Sequence, residues 1–214
     1  MTTTKLGQYN EALLLLKQTT LTTVADDILA RYRLDDAWTK ATNKALEEGV
    51  WHFAVRTVAI PFSSDVTPAF GWNYAFLKPT DYVRTVALSS NMYFTGPFND
   101  WDDDGTYWWA NWTPLYVKYV SNDTSLGGYN LGTWPESFCT YQAHELAERV
   151  APLLTSMSGA EKEEFRKEKK RALADARAKA SFNLPAMRPP SGRLVRARKG
   201  YRGYVRPGDW PWNG

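Results

Sequence analysis

The stretch "FAVRTVAI", Phe53 to Ile60, is where the chain changes its period. Before it, Leu34, Trp38, Ala41 and Ala45 recur at helical spacing and form one stripe. Within it the residues are β-branched and apolar and stop at Pro61, which reads as a strand. "YVRTVAL" (82–88) and "LYVKYV" (115–120) alternate in the same manner. Residues 61–73, with Pro61, Pro68 and Gly71, read as loop. The middle of the chain therefore predicts a small antiparallel sheet set between helical segments.

Working outward, Tyr9, Ala12, Leu13 and Leu16 predict a short amphipathic helix. A second helix is predicted from about Val24 to Glu48, with Gly49 as its C-cap. After Gly132, Thr133 and Glu136 match a capping box, with Pro135 in the first turn. Cys139, Ala143, Leu146, Val150 and Leu153 then form a core stripe, and Pro152 is expected to kink or end the helix. Ser158 and Glu161 make a second capping box for a charged helix reaching about Phe182. Its acidic start and basic later turns complement the helix dipole. Its thin strip of Phe165, Ala172, Ala176 and Ala180 predicts close packing on one side and an exposed or subunit-facing other side.

The expected fold is α+β, mainly a helical bundle with a small inserted antiparallel β-sheet module and an extended C-terminal arm. The expected units are N-terminal helices (1–52), a β module with a Trp-rich acidic loop (53–132), a C-terminal helix pair (133–183) and a basic arm (184–214). Residues 183–214 are rich in Pro, Gly and Arg and have too little periodic apolar content to fold alone.

The 214-residue chain has ten Trp and twelve Tyr, an aromatic excess that suits both core packing and interfaces. Net charge is only +3, but from Arg166 onward the acids are confined to Glu168, Asp175 and Asp209. A basic C-terminal third implies an acidic partner, either nucleic acid or a protein surface. One cysteine, Cys139, excludes an internal disulfide. "MTTTKLGQYN" lacks the apolar region of a signal peptide and "ALLLL" (12–16) is too short to cross a bilayer, so a soluble protein made in a cytoplasm is expected.

The chemistry of the acidic stretch "DWDDDGTYWWAN" (100–111) turns on spacing. Asp100, Asp102, Asp104 and Gly105 match the start of an EF-hand loop and are the candidate metal ligands. Position 12 is Asn111, which lacks the required bidentate carboxylate, and the flanks read as strand. The stretch is instead expected to be a turn, in which Gly supplies positive φ. His144-Glu145 resembles the start of a zinc protease motif, but Glu148 stands where the second His belongs. His144 is therefore expected at a partly exposed helix position. A Cys139–His144 nucleophile fails because the two lie roughly 140° apart around a helix. No catalytic residue, cofactor or enzymatic activity is expected.

Several ordered patches resemble the head–tail adaptor proteins of short-tailed phages, the family of tail tubular protein A and related gatekeeper-type adaptors. They are "ALEEGVWHFA" (45–54), "FGWNYAFLKPTDYVRTV" (70–86) with Pro79, Asp81 and Arg84, "LYVKYV", "WPESF" (134–138) and "SGRLVRAR" (191–198). The resemblance spans roughly residues 30–198. The loop 98–112 and the tail beyond Arg198 depart from the family pattern.

The resemblance implies a structural virion protein of the neck, assembled in the host cytoplasm as a dodecameric ring under the portal. Its expected partners are other copies of itself, the portal protein, a downstream tail or nozzle protein, and double-stranded DNA passing without base readout; no membrane is involved. Arg188, Arg193, Arg196, Arg198, Lys199, Arg202 and Arg206, with Tyr201, Tyr204, Trp210 and Trp212 as anchors, are the expected portal or subunit interface. Trp101, Asp102, Asp103, Asp104, Trp108, Trp109 and Trp112 are the expected contact loop for a subunit or tail component. The alternative is a tail-associated cell-wall hydrolase or sugar-binding module using the Trp and acidic residues. A monomeric DNA-binding accessory protein is the third reading.

Overall fold

A computed structural model of the chain describes residues 3–68, 71–94 and 99–182. The arm, and every arm residue assigned above to the portal or subunit interface, lies outside the described residues. In chain order the elements are α1 (Lys5–Leu15), α2 (Leu29–Glu47), β1 (Val55–Ile60), β2 (Tyr74–Leu77), β3 (Tyr82–Ser89), β4 (Trp101–Asp103), β5 (Tyr107–Ala110), β6 (Leu115–Ser121), α3 (Glu136–Leu154) and α4 (Gly159–Phe182).

The chain is not mainly a helical bundle, and that expectation is corrected here. Its strands form two antiparallel sheets of three strands each, in the orders β1-β6-β3 and β2-β5-β4. The reason is the second face of the first sheet. Leu115, Val117 and Tyr119 on β6, with Leu88 on β3, need a cover, and Phe76, Trp108 and Ala110 of the second sheet supply it. The β module thus has a hydrophobic core of its own. The opposite face of the first sheet contributes Val120, Val83 and Val86 to the core among the helices.

Strand β3 serves both cores by breaking its own alternation. Its pairing with β6 shifts register between Tyr82 and Arg84 and again between Thr85 and Ala87. Each irregularity inserts a residue, so Val83 and Val86 share a face although they stand three positions apart, an odd spacing that simple alternation would send to opposite faces. Tyr82 and Leu88 lie on the other face, in the sheet core.

In the helical part α3 packs against α1, α2 and α4. This central position buries most of its circumference, including Phe138, Tyr141, Leu146 and Val150 and the polar Gln142, His144 and Glu145. Leu153, expected on the core stripe, is exposed at the helix end. Helix α3 continues only two residues beyond Pro152.

Local signals explain most boundaries. Thr4 caps α1 by accepting from the Gly7 N–H at 3.1 Å. The helix closes with Lys17 in the left-handed region (φ 56). There Lys17 N–H bonds Leu14 O and Gln18 N–H bonds Leu13 O, a Schellman closure without glycine. Helix α2 begins later than its periodicity predicts. Asp26 Oδ2 takes the N–H groups of Thr22 and Thr23 at 2.7 and 3.1 Å, offering the backbone a turn in place of helix.

The capping box Ser158/Glu161 forms reciprocally, at 2.8 and 3.3 Å. The one predicted at Thr133 does not form, because the Thr133 hydroxyl donates back to Asn130 O within a 3-10 turn. Gly49 follows α2 without positive φ. Its constraint is space: a Cβ there would lie 2.7 Å from the Trp51 ring.

Candidate functional site

The Trp-rich acidic stretch forms the hairpin β4–β5. Trp101, Asp102 and Asp103 pair with Ala110, Trp109 and Trp108. At its tip Gly105 takes φ 87, a conformation open to glycine at no steric cost. The acids serve the turn itself: Asp103 Oδ1 accepts from Gly105 N–H at 3.0 Å, and Asp104 Oδ1 from Tyr107 N–H at 3.2 Å. Asn111 Oδ1 accepts from Asn73 N–H at 3.0 Å, tying the hairpin to the approach of β2.

Lys78 anchors the tip from beneath. Its stem is buried, its ammonium pairs with Asp103, and it lies 4.7 Å from the Tyr82 ring centre and 5.5 Å from that of Trp108. Burial alone would raise the Asp103 carboxyl, but the Lys78 and Gly105 hydrogen bonds outweigh it and hold the group below its usual range.

The two faces of the hairpin have different chemistry. Trp108 was expected on a contact surface and is instead fully buried. Its indole N–H donates to the Thr85 hydroxyl at 3.0 Å, and its ring meets Tyr82 edge-on at 5.3 Å. Trp101 is half-buried at the margin of the same core. The outer face carries Tyr107 and Trp109, half-buried with ring centres 5.9 Å apart. Asp102 and Asp104 are exposed beside them, and Trp112 is 55% exposed just beyond β5. Phe62, Leu77, Met92 and Tyr93 add further exposed apolar side chains to this module.

Asp100, Asp102 and Asp104 do not gather around a common centre. Among the described residues no group of three His, Cys, Asp or Glu is placed to hold a metal ion. Cys139 is buried, with the Thr3 hydroxyl 3.2 Å from its sulfur, and burial pushes its thiol up. His144, expected to be partly exposed, is buried against Phe165 at 5.3 Å, its Nδ1 without a partner. Burial holds its pKa below the usual value.

Asp81 and Arg84, which carried the resemblance, sit at the joint between helices and sheet. The Asp81 carboxylate accepts from Arg56 at 2.8 Å, Ser121 at 2.5 Å and Tyr119 at 3.1 Å, linking its own turn to β1 and β6. Burial opposes its ionisation, yet these donors prevail and lower its pKa. The Tyr119 hydroxyl moves the other way, pushed up to about 12 by burial and the adjacent carboxylate. Arg84 donates to Glu47 O at 3.0 Å, satisfying a carbonyl at the end of α2.

A second charged cluster is mostly invisible in the sequence. The Glu145 side chain is 1% exposed and receives Lys44 of α2 at 3.0 Å, Arg149 of α3 at 3.1 Å and Lys169 of α4 at 3.1 Å. Lys169 also pairs with Glu148. One carboxylate thus ties three helices together. Its partners stand 101, 4 and 24 residues away in sequence, and only the contact at i+4 is legible locally.

A groove of about 390 Å³ lies where the N-terminus of α3 meets the last turns of α4. Its apolar walls are Trp51, Phe53, Pro135, Ala176 and Ala180, with Glu136 and Lys179 at its edge. His52 Nε2 lies 2.8 Å from Ala180 O and fastens the end of α4 to this groove.

No protein-family model matches the chain, and no curated protein sequence matches it. Among the described residues no helix is long and apolar enough to cross a membrane.

Proposed function

We propose that the chain is a structural head–tail adaptor that assembles as a ring under a phage portal, joining head to tail and extending the DNA channel. The ordered sequence patches support the family reading, and within them Asp81 ties β1 and β6 to the start of β3 while Arg84 joins β3 to the end of α2. The observation that carries an assembling role is the exposed apolar surface of the β module. Trp112, Tyr93, Met92 and Leu77 are each more than half exposed, a load of apolar surface that association with a neighbour or the next tail component would bury. The acidic tip of the β4–β5 hairpin, in the same module, favours a basic counterpart. The basic arm 184–214 is assigned to the portal or the adjacent subunit.

Mixing the full-length protein with the portal of the same virion and imaging the particles tests this. A ring seated coaxially on the portal is expected. A protein that stays monomeric and fails to bind portal at any concentration overturns the proposal. The Tyr107–Trp109 pair flanked by Asp102 also has the form of a sugar platform, which supports the sugar-binding alternative. Retention on purified cell-wall polysaccharide, lost in Trp109→Ala, would favour that reading over the adaptor.

A further inference from the structure

We infer that the groove between α3 and α4 is the seat for the Trp210–Trp212 segment of a neighbouring copy. This rests on the ring reading and gives it a receiving site. The groove volume of about 390 Å³ falls within the ~300–1,000 Å³ typical of pockets for compact ligands. Its walls are aromatic and small: Phe53 is half-buried and presents its ring, while Ala176 and Ala180 leave room where larger residues would close the space.

The occupant follows from chain length and charge. The described chain ends at Phe182, two residues past the groove wall at Ala180, with its ring 81% exposed. Thirty-two residues follow, and their aromatic content culminates in Trp210-Pro211-Trp212. Trp210 lies 28 residues beyond Phe182, a reach of up to roughly 90–100 Å. A domain of this size has a radius of gyration of about 16 Å, so the segment has length enough to cross to an adjacent subunit.

Arg206 and Asp209 flank the indoles on the arm, and Glu136 and Lys179 flank the groove, one charge of each sign on each side. A contact in which one copy's arm enters the next copy's groove is heterologous. Such contacts build a ring when the rotation from copy to copy closes.

Disulfide trapping between full-length chains tests the seat. One chain carries Ser137→Cys at the groove and the other Asn213→Cys beside the indoles, both in a Cys139→Ser background. Mixing under mild oxidation is expected to give a disulfide-linked pair. Trapping is expected to fall at least tenfold when the groove is filled by Ala180→Trp or the indoles are removed by Trp210→Ala with Trp212→Ala. Circular dichroism of each variant checks that it is folded.

No trapped pair, with native association intact by sedimentation, overturns the seat and leaves the ring reading standing. Trapping that occurs only within a chain carrying both cysteines overturns the neighbouring copy as occupant. Loss of self-association and portal binding in the unmodified protein sinks the ring reading itself and is recognised without any cysteine.

Discussion

In the helical core Trp51 and Trp134 each give their indole N–H to a backbone carbonyl, Ala45 at 2.8 Å and Gly128 at 2.7 Å. In the sheet core Trp108 gives its N–H to a side chain, the Thr85 hydroxyl. The first arrangement ties the segment leaving α2 back onto that helix and the segment entering α3 to the loop after β6. The second joins two sheets that share no backbone ladder. The polar ties differ too: in the helical part they join separate helices, as Glu145 and Asp35 do, whereas at the β4–β5 tip the acids mainly bond their own turn. Both parts leave large apolar side chains in solvent, Leu14, Leu29 and Phe182 on the helices and Leu77, Tyr93 and Trp112 on the β module.

The strongest way to break this comparison is Trp108→Ala. If the sheets have a core of their own, urea denaturation should show a loss of about 3–5 kcal/mol. A loss under about 1 kcal/mol would mean the second sheet is merely laid on the first. Gly49→Ala probes the helical core, because the new Cβ meets the Trp51 ring at 2.7 Å. Overpacking there should cost about 1–3 kcal/mol in the same measurement.

Asp81→Asn tests the polar tie within the first sheet, the sheet that both cores share. Replacing the carboxylate should cost about 1–2 kcal/mol at pH 7. The folded-state pKa of Asp81 is depressed, so its contribution is present above the unfolded value near 3.9 and is lost as pH falls through the lower folded value. The gap between wild type and Asp81→Asn should therefore narrow in denaturations run below about pH 4. A gap that persists unchanged at low pH would show that ionisation is not what Asp81 supplies.

The smallest effect has the opposite sign. Lys17 is exposed and left-handed at the end of α1, so Lys17→Gly should stabilise by about 0.5–1 kcal/mol, read as a higher denaturation midpoint.

What the sequence made legible was local. The stripe Leu34, Trp38, Ala41, Ala45, the Ser158/Glu161 box and the strands β1, β3 and β6 follow from periodicity and capping chemistry that neighbours in sequence determine. Strand β2 escaped because "YAFL" is too short to show a period before Pro79. Trp108 was misassigned to the surface because two adjacent Trp residues must point opposite ways, and only pairing with Phe76 decides which enters the core. The helix start at Leu29 was misread because Asp26 competes for backbone N–H groups. The bundle expectation failed for the same reason as Trp108: the demand of the first sheet for a second cover is a tertiary fact. Apart from the Glu145–Arg149 pair at i+4, the Glu145 cluster and the α3–α4 groove depend on packing between distant segments.

The two irregularities in β3 have a further consequence for how such a chain can be inherited. The first sheet is a party wall, with Val83, Val86 and Val120 on the helical side and Leu88, Val117 and Tyr119 on the other. The β module is therefore not a cassette that recombination can lift out, since excision would strip one side of a sheet that both halves need. Substitutions on the outer face of β2, β4 and β5, where Leu77, Asp102, Tyr107 and Trp109 look outward, are expected to be tolerated far better than core substitutions along β3 and β6.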